Sequence, residues 1–210
     1  MQIVHAAMPK EKRACALVIA FILWLFLVSA GMASLWLYSG TPGKAGNPPD
    51  GWPASSSLRP ALGASTLVMF LHPQCPCSRA SIYELALLLA HSAGRLRAQV
   101  VFLKPAGKGD SWTQTDLWHE ASALPGIVVN SDLGGREAAL FRATTSGETV
   151  VYDAAGKLRF HGGITGARGH VGDNDGCSAL QSYAHAGVIA TARTRVFGCP
   201  LFSELTSQTP

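Results

Sequence analysis

Residues 14–38 run for 25 positions without Asp, Glu, Lys, Arg or His. Roughly 20 apolar residues in a helix cross the hydrocarbon core of a bilayer, and this segment exceeds that length. Trp36 and Tyr38 close it where interfacial aromatics lie, and Trp24 stands inside it. Lys10, Lys12 and Arg13 precede it, while only Lys44 follows nearby. The positive-inside bias predicts a cytoplasmic tail over residues 1–13, a single membrane helix over 14–38, and everything later on the far side. Small residues over 30–34 mimic a cleavage site, yet Leu35-Trp36-Leu37 continues the apolar run past them. Cleaved signals carry shorter apolar cores of about 7–15 residues, so the reading is a retained anchor. Anchored or cleaved, the remainder is exported to a compartment where disulfides persist.

The formal net charge of +4 comes partly from the cytoplasmic flank and gives no argument for nucleic acid. Residues 39–64 hold five Pro and five Gly among small polar side chains. Such a stretch has little apolar surface to bury and reads as a flexible tether. The folded domain is then expected over residues 65–202, followed by a tail over 203–210.

Within that domain the pattern alternates between strand and helix. Leu67 to Leu71 is a continuous apolar run, as in a central parallel strand. Ile82, Leu85, Ala86 and Leu89 recur at helical spacing and predict a helix from about Pro76 to Ala93. Further strands are expected at Gln99–Lys104, Ile127–Val129, Glu148–Tyr152 and Lys157–His161, the last two joined as a hairpin. Helices are expected over Thr113–Leu124, Arg136–Arg142 and about Cys177–Ala190. This order implies an α/β fold, a mixed sheet flanked by helices on both faces.

Cys75-Pro76-Cys77-Ser78 lies between the first strand and the first helix. With Cys75 as N-cap, Pro76 falls at the first helical position, which suits its fixed φ. The N–H groups of Cys77 and Ser78 then face the Cys75 sulfur, and the helix dipole adds positive potential. Both favour thiolate, the species that attacks a disulfide or a peroxide. His72, when protonated, and Arg79 are further cations close in sequence. The bland alternative is that both thiols simply pack, as buried cysteines often do. Cys77 is the first candidate to resolve a mixed disulfide and Cys199, in Phe197-Gly198-Cys199-Pro200, the second. Cys177 is another possible partner, and the sequence leaves the pairing among Cys75, Cys77, Cys177 and Cys199 open. Cys15 lies in the membrane span.

Phe70-Leu71-His72-Pro73-Gln74-Cys75, the pair Glu84-Leu85 and Val150-Val151-Tyr152-Asp153-Ala154-Ala155-Gly156 resemble the thioredoxin-like superfamily, especially its membrane-tethered exported members. With 72–81, 162–170 and 196–201 they are similar to the bacterial proteins labelled RedB. The resemblance implies a thioredoxin-like domain at a bacterial inner membrane, periplasmic or otherwise extracytoplasmic, with Cys75 as the nucleophile. It implies partners that are protein or small-molecule thiols and disulfides, and no cofactor. Two departures stand out: Ser78 occupies the place of the usual second cysteine, and Gly147 that of a proline which receives substrate backbone. Ser146 and Gly147 are accordingly expected to bind substrate, as is His72 beside the turn.

Gly162 to Gly176 is too rich in glycine for a regular element. It reads either as a loop presenting Arg168 and His170 to a substrate groove or as an ordinary solvated turn. Two soft thiolates also suit Cu(I), and a copper-binding protein completed by His72 or His161 is the rival reading. Peroxide reduction by Cys75 is a third. No second close Cys/His pair supports a structural zinc site, and Asp173-Asn174-Asp175 lacks the spacing of a calcium loop.

Overall fold

The computed structural model describes residues 10–202. The tail 203–210 and most of the expected cytoplasmic tail, residues 1–9, lie outside the described residues. The chain divides into two units, one ending at Ser39 and one beginning at Gly40.

The first unit holds α1, Lys10–Gly40, 31 residues long. At about 1.5 Å per residue it is some 45 Å in length, longer than a bilayer core. Among the described residues it is the one helix long and apolar enough to cross a membrane, and its side chains are exposed from Glu11 to Tyr38.

The second unit is built on five strands: β1 Ser65–Leu71, β2 Leu96–Lys104, β3 Ile127–Leu133, β4 Glu148–Tyr152 and β5 Leu158–Gly162. Their order in the sheet is β3-β2-β1-β4-β5. β1 runs parallel to β2 and β2 to β3, whereas β4 is antiparallel to both β1 and β5. The helices are α2 Ser78–His91, α3 Asp116–Ser122, α4 Arg136–Leu140 and α5 Asp175–Ala186. β2 starts three residues earlier than its apolar run suggests, because Leu96 and Ala98 point inward while Arg97 points out. β3 continues through the polar Asn130-Ser131-Asp132, as an edge strand can.

Alternation along the strands makes two cores. Leu67, Met69 and Leu71 pack with Ile82, Leu85 and Leu88 of α2 and with Ala179 and Leu180 of α5. Val68 and Phe70 face the other way, toward Phe141, Tyr152, Leu58 and Leu201. Among the described residues, the second face has only the five-residue α4 as helical cover. Residues 43–58 complete it, which differs from the flexible tether expected from composition. Trp52 meets the rings of Phe141 and Tyr152 edge-on at 5.1 and 5.4 Å. Ser56 and Ser57 donate to the Glu137 carboxylate at 2.6–2.9 Å, and the Trp52 N–H donates to the Gly156 carbonyl at 2.8 Å.

Candidate active site around Cys75

β1 delivers the chain to the end of the sheet, and the next residues turn before α2 starts. The His72 N–H donates to Ser146 Oγ at 2.8 Å, and the Cys75 N–H to the His72 carbonyl at 3.0 Å. Ser78 N–H then donates to the Cys75 carbonyl at 3.0 Å. The helix therefore begins two residues later than expected. Its first residue is Ser78 and its N-cap is Cys77, which has helical dihedrals and no side-chain cap. Proline 76 explains the displacement: it has no N–H to give and disfavours the helical region for the residue before it. Cys75 thus stands one tight turn ahead of the N-cap.

The thiol is nevertheless well supplied with donors. Cys75 is almost wholly buried. Burial on its own pushes its pKa up, but hydrogen bonds from the Cys199 S–H and N–H, the Ser78 hydroxyl and the Cys77 N–H outweigh it. The net direction is down from the ordinary thiol value, as a sulfur accepting several hydrogen bonds requires. Cys199 moves the opposite way, pushed up to about 12 by burial and then by its bond to Cys75 and the charges on Cys75 and Cys77. Cys77 is also raised, by burial first and then by Cys75, with Arg168 opposing. The three sulfurs are thus set apart, Cys75 lowered and its two neighbours raised.

Cys199 arrives from the far end of the chain. Ser146 N–H donates to the Cys199 carbonyl at 2.8 Å, Leu201 N–H to the Thr144 carbonyl at 2.9 Å, and Thr145 pairs with Pro200 in an antiparallel bridge. Ser146 Oγ meets Ser78 Oγ at 2.8 Å, tying this edge to the start of α2. Gly147, at φ +92, donates its N–H to the Phe70 carbonyl at 2.8 Å; an added Cβ would sit 3.0 Å from Ser81 Oγ and in a strained conformation. Arg168 donates to the carbonyls of Gly198 and Thr41. It therefore braces the residue before Cys199 and places its cation beside Cys77 and Cys199.

Several expected residues take other roles. Burial lowers the His72 pKa and so disfavours the cation expected of it, Nδ1 accepts the Gln74 N–H at 3.2 Å, and the ring lies edge-on to Trp112. Arg79 is paired with Glu120. His170 is exposed, its Nδ1 against the Arg168 carbonyl. Cys177 is buried in α5, with its sulfur 3.5 Å from Glu84 Oε2 and 3.6 Å from the Ile164 carbonyl, and burial pushes its pKa up to about 12. Among the described residues no group of three or more Cys, His, Asp or Glu is placed to hold a metal ion.

Two contributors are not evident from sequence. Ser78 serves as a donor to Cys75 from the position of the missing second cysteine. Glu148 accepts the N–H groups of Gly46, Thr144 and Thr145 at 2.9, 2.8 and 3.4 Å, holding the edge that pairs with Cys199. A recess of about 260 Å³, lined by Pro73, Cys75, Pro76, Arg79, Thr115 and Leu117, adjoins the cysteine turn.

No protein-family model matches the chain. Comparison with curated protein sequences likewise finds no match. Solved structures are similar in fold. An uncharacterized conserved protein from Geobacillus kaustophilus is 16% identical with a TM-score of 0.57, over 79% of this chain and 93% of that one. A hypothetical protein from Sinorhizobium meliloti is 17% identical with a TM-score of 0.54, over 78% and 96%. The pneumococcal exposed lipoprotein thioredoxin from Streptococcus pneumoniae is more distant, 19% identical with a TM-score of 0.37 over 57% and 83%. The fold is thioredoxin-like in its topology: a mixed five-stranded sheet flanked by helices, here preceded by one long apolar helix.

Proposed function

We propose that this chain is a membrane-tethered, exported thiol–disulfide redox protein in which Cys75 attacks. One observation carries the reading: a buried sulfur at the end of β1 accepts hydrogen bonds from Cys199, Ser78 and Cys77 and is held below the ordinary thiol pKa. A thiolate so placed attacks a disulfide sulfur and forms a mixed disulfide. The recess beside it admits the thiol or disulfide of a small molecule, or a cysteine presented on a protein loop. The sequence resemblance to the RedB-labelled proteins supports the same reading.

The test is selective reactivity. In the reduced full chain in detergent micelles, iodoacetamide labels Cys75 ahead of Cys77, Cys177 and Cys199, with a rate midpoint below that of a free thiol. Its rate falls as pH drops through that lowered pKa. Equal labelling of all four, or a midpoint above a free thiol, sinks the reading.

The anchor is α1, whose exposed apolar side chains need lipid cover. Lys10, Lys12 and Arg13 hold its N-terminal flank in the cytoplasm, and residues from Gly40 onward are outside. With the native cysteines replaced by serine, a membrane-impermeant maleimide added to intact spheroplasts labels Ser55→Cys and leaves Gln2→Cys untouched. The reverse pattern overturns the orientation.

A further inference from the structure

The chain's own segment 196–201 occupies the backbone-pairing edge next to Cys75. Val196 and Leu201 are buried and Cys199 between them is half-buried. The segment pairs with Thr144–Ser146 through a short antiparallel bridge, with the Ser146 N–H and the Thr144 carbonyl both used. Gly198 is pressed so closely that an added Cβ would lie 1.9 Å from the Ser146 carbonyl oxygen. Arg168 fixes the Gly198 carbonyl from the other side. Resting on the redox reading above, we propose that residues 196–201 are a built-in strap that delivers Cys199 to Cys75 as the resolving thiol, so that the oxidised chain carries a Cys75–Cys199 disulfide.

Cys77 is the competitor and its backbone works against it. Residues 75 and 77 are joined through Pro76, and Cys77 is already committed to helical dihedrals as the N-cap of α2. A bridge between them has to disrupt the turn closed by Ser78 N–H on the Cys75 carbonyl, since disulfides demand a narrow range of Cβ separation and torsion. Cys199 comes from a separate segment seated on Thr144–Ser146, and Ser146 Oγ in turn contacts the His72 N–H and Ser78 Oγ on either side of Cys75.

The electron count closes without another reagent. The Cys75 thiolate attacks one sulfur of R–S–S–R′, forming Cys75–S–S–R and expelling R′S⁻. The anion that kept Cys199 protonated is thereby consumed, and Arg168 remains beside it. Cys199 gives its proton to R′S⁻, making R′SH, and its thiolate attacks the Cys75 sulfur. The Cys75–Cys199 bond forms and RS⁻ leaves. Two electrons have passed from the protein dithiol to the substrate disulfide, and the reverse sequence oxidises a dithiol.

The reduced full chain in micelles, treated with glutathione disulfide, quenched in acid and mapped by mass spectrometry, tests this. Wild type and Cys77→Ser yield a peptide containing Cys75 linked to one containing Cys199. Cys199→Ser stops at the Cys75–glutathione adduct, which persists about a hundredfold longer because an intramolecular attack has become bimolecular. Gly198→Ala keeps every thiol but lifts the strap, and slows release of glutathione about tenfold or more. A Cys75–Cys77 link in wild type, or adduct lifetimes in Cys199→Ser and Gly198→Ala equal to wild type, overturns the strap while leaving Cys75 as nucleophile. Absence of any adduct on Cys75 in every variant overturns the redox reading and the inference together.

Discussion

Cys75→Ser lowers disulfide turnover on the order of 10⁴-fold, as loss of a covalent nucleophile does, without unfolding the domain. The reason is the environment the sulfur leaves behind. The N–H groups of Cys77 and Cys199 aim at that position, and a serine oxygen accepts hydrogen bonds as readily as sulfur. Few polar groups are orphaned, so the melting temperature stays within a few degrees of wild type. A hydroxyl under these donors does not ionise near neutral pH, so attack stops. The same substitution has a second readout that a merely structural cysteine lacks. Cys199 and Cys77 are raised in part by the charge and hydrogen bond of Cys75. Removing it lowers both, and the alkylation of Cys199 relative to its wild-type rate increases at fixed pH. Retained turnover in Cys75→Ser, measured against reduction of insulin and against oxidation of a dithiol, removes the mechanism.

The position of this thiol is legible from sequence because it depends on local signals. An apolar run, a Pro-containing turn and a helical repeat after it place Cys75 at the end of β1. The local electrostatics are less so. An N-cap reading credits the helix dipole, but Pro76 shifts the helix start to Ser78. The donors that lower Cys75 include Cys199, 124 positions away in a chain of 210 residues. Such a partner follows from strand pairing between 144–146 and 199–201, which has no local periodicity to betray it. Arg168 illustrates the same limit. The glycine-rich loop suggests a presented cation, and it turns out to act through backbone carbonyls at Gly198 and Thr41. Composition misleads most over residues 39–64. Proline and glycine there remove backbone entropy or fit close approaches, as at Gly46 against Glu148, instead of marking freedom.

Trp52→Ala in the full chain costs about 3 kcal/mol, at the lower end for a large aromatic because the ring is only partly buried. For a domain of this size that is a fall in melting temperature of roughly 6–12 °C. The reason lies in the coverage of the sheet. α2, α3 and α5 cover one face, and α4 alone cannot cover the other. Trp52 fills the gap between Phe141 and Tyr152, whose hydroxyl in turn donates to the Pro49 carbonyl at 2.9 Å. The segment also shields the β5 edge, since the Trp52 N–H and the Asp50 carbonyl pair with the Gly156 carbonyl and the Leu158 N–H. Its earlier residues reach the site: the Lys44 carbonyl accepts from the hydroxyls of Thr144 and Thr145 at 2.7 Å, and the Gly43 N–H donates to the Val196 carbonyl at 2.8 Å. The residues that hold the edge beside Cys75 and the first residue of the strap are thus fastened by a stretch that composition assigns to a tether. Native-state hydrogen exchange separates the two descriptions, because a tether exchanges at the rate of an unfolded chain while a packed segment is protected with the sheet. Protection at Gly43, Gly46 and Trp52, lost together in Trp52→Ala, is the expected result; an unshifted melting temperature and unprotected amides there would return the segment to a tether.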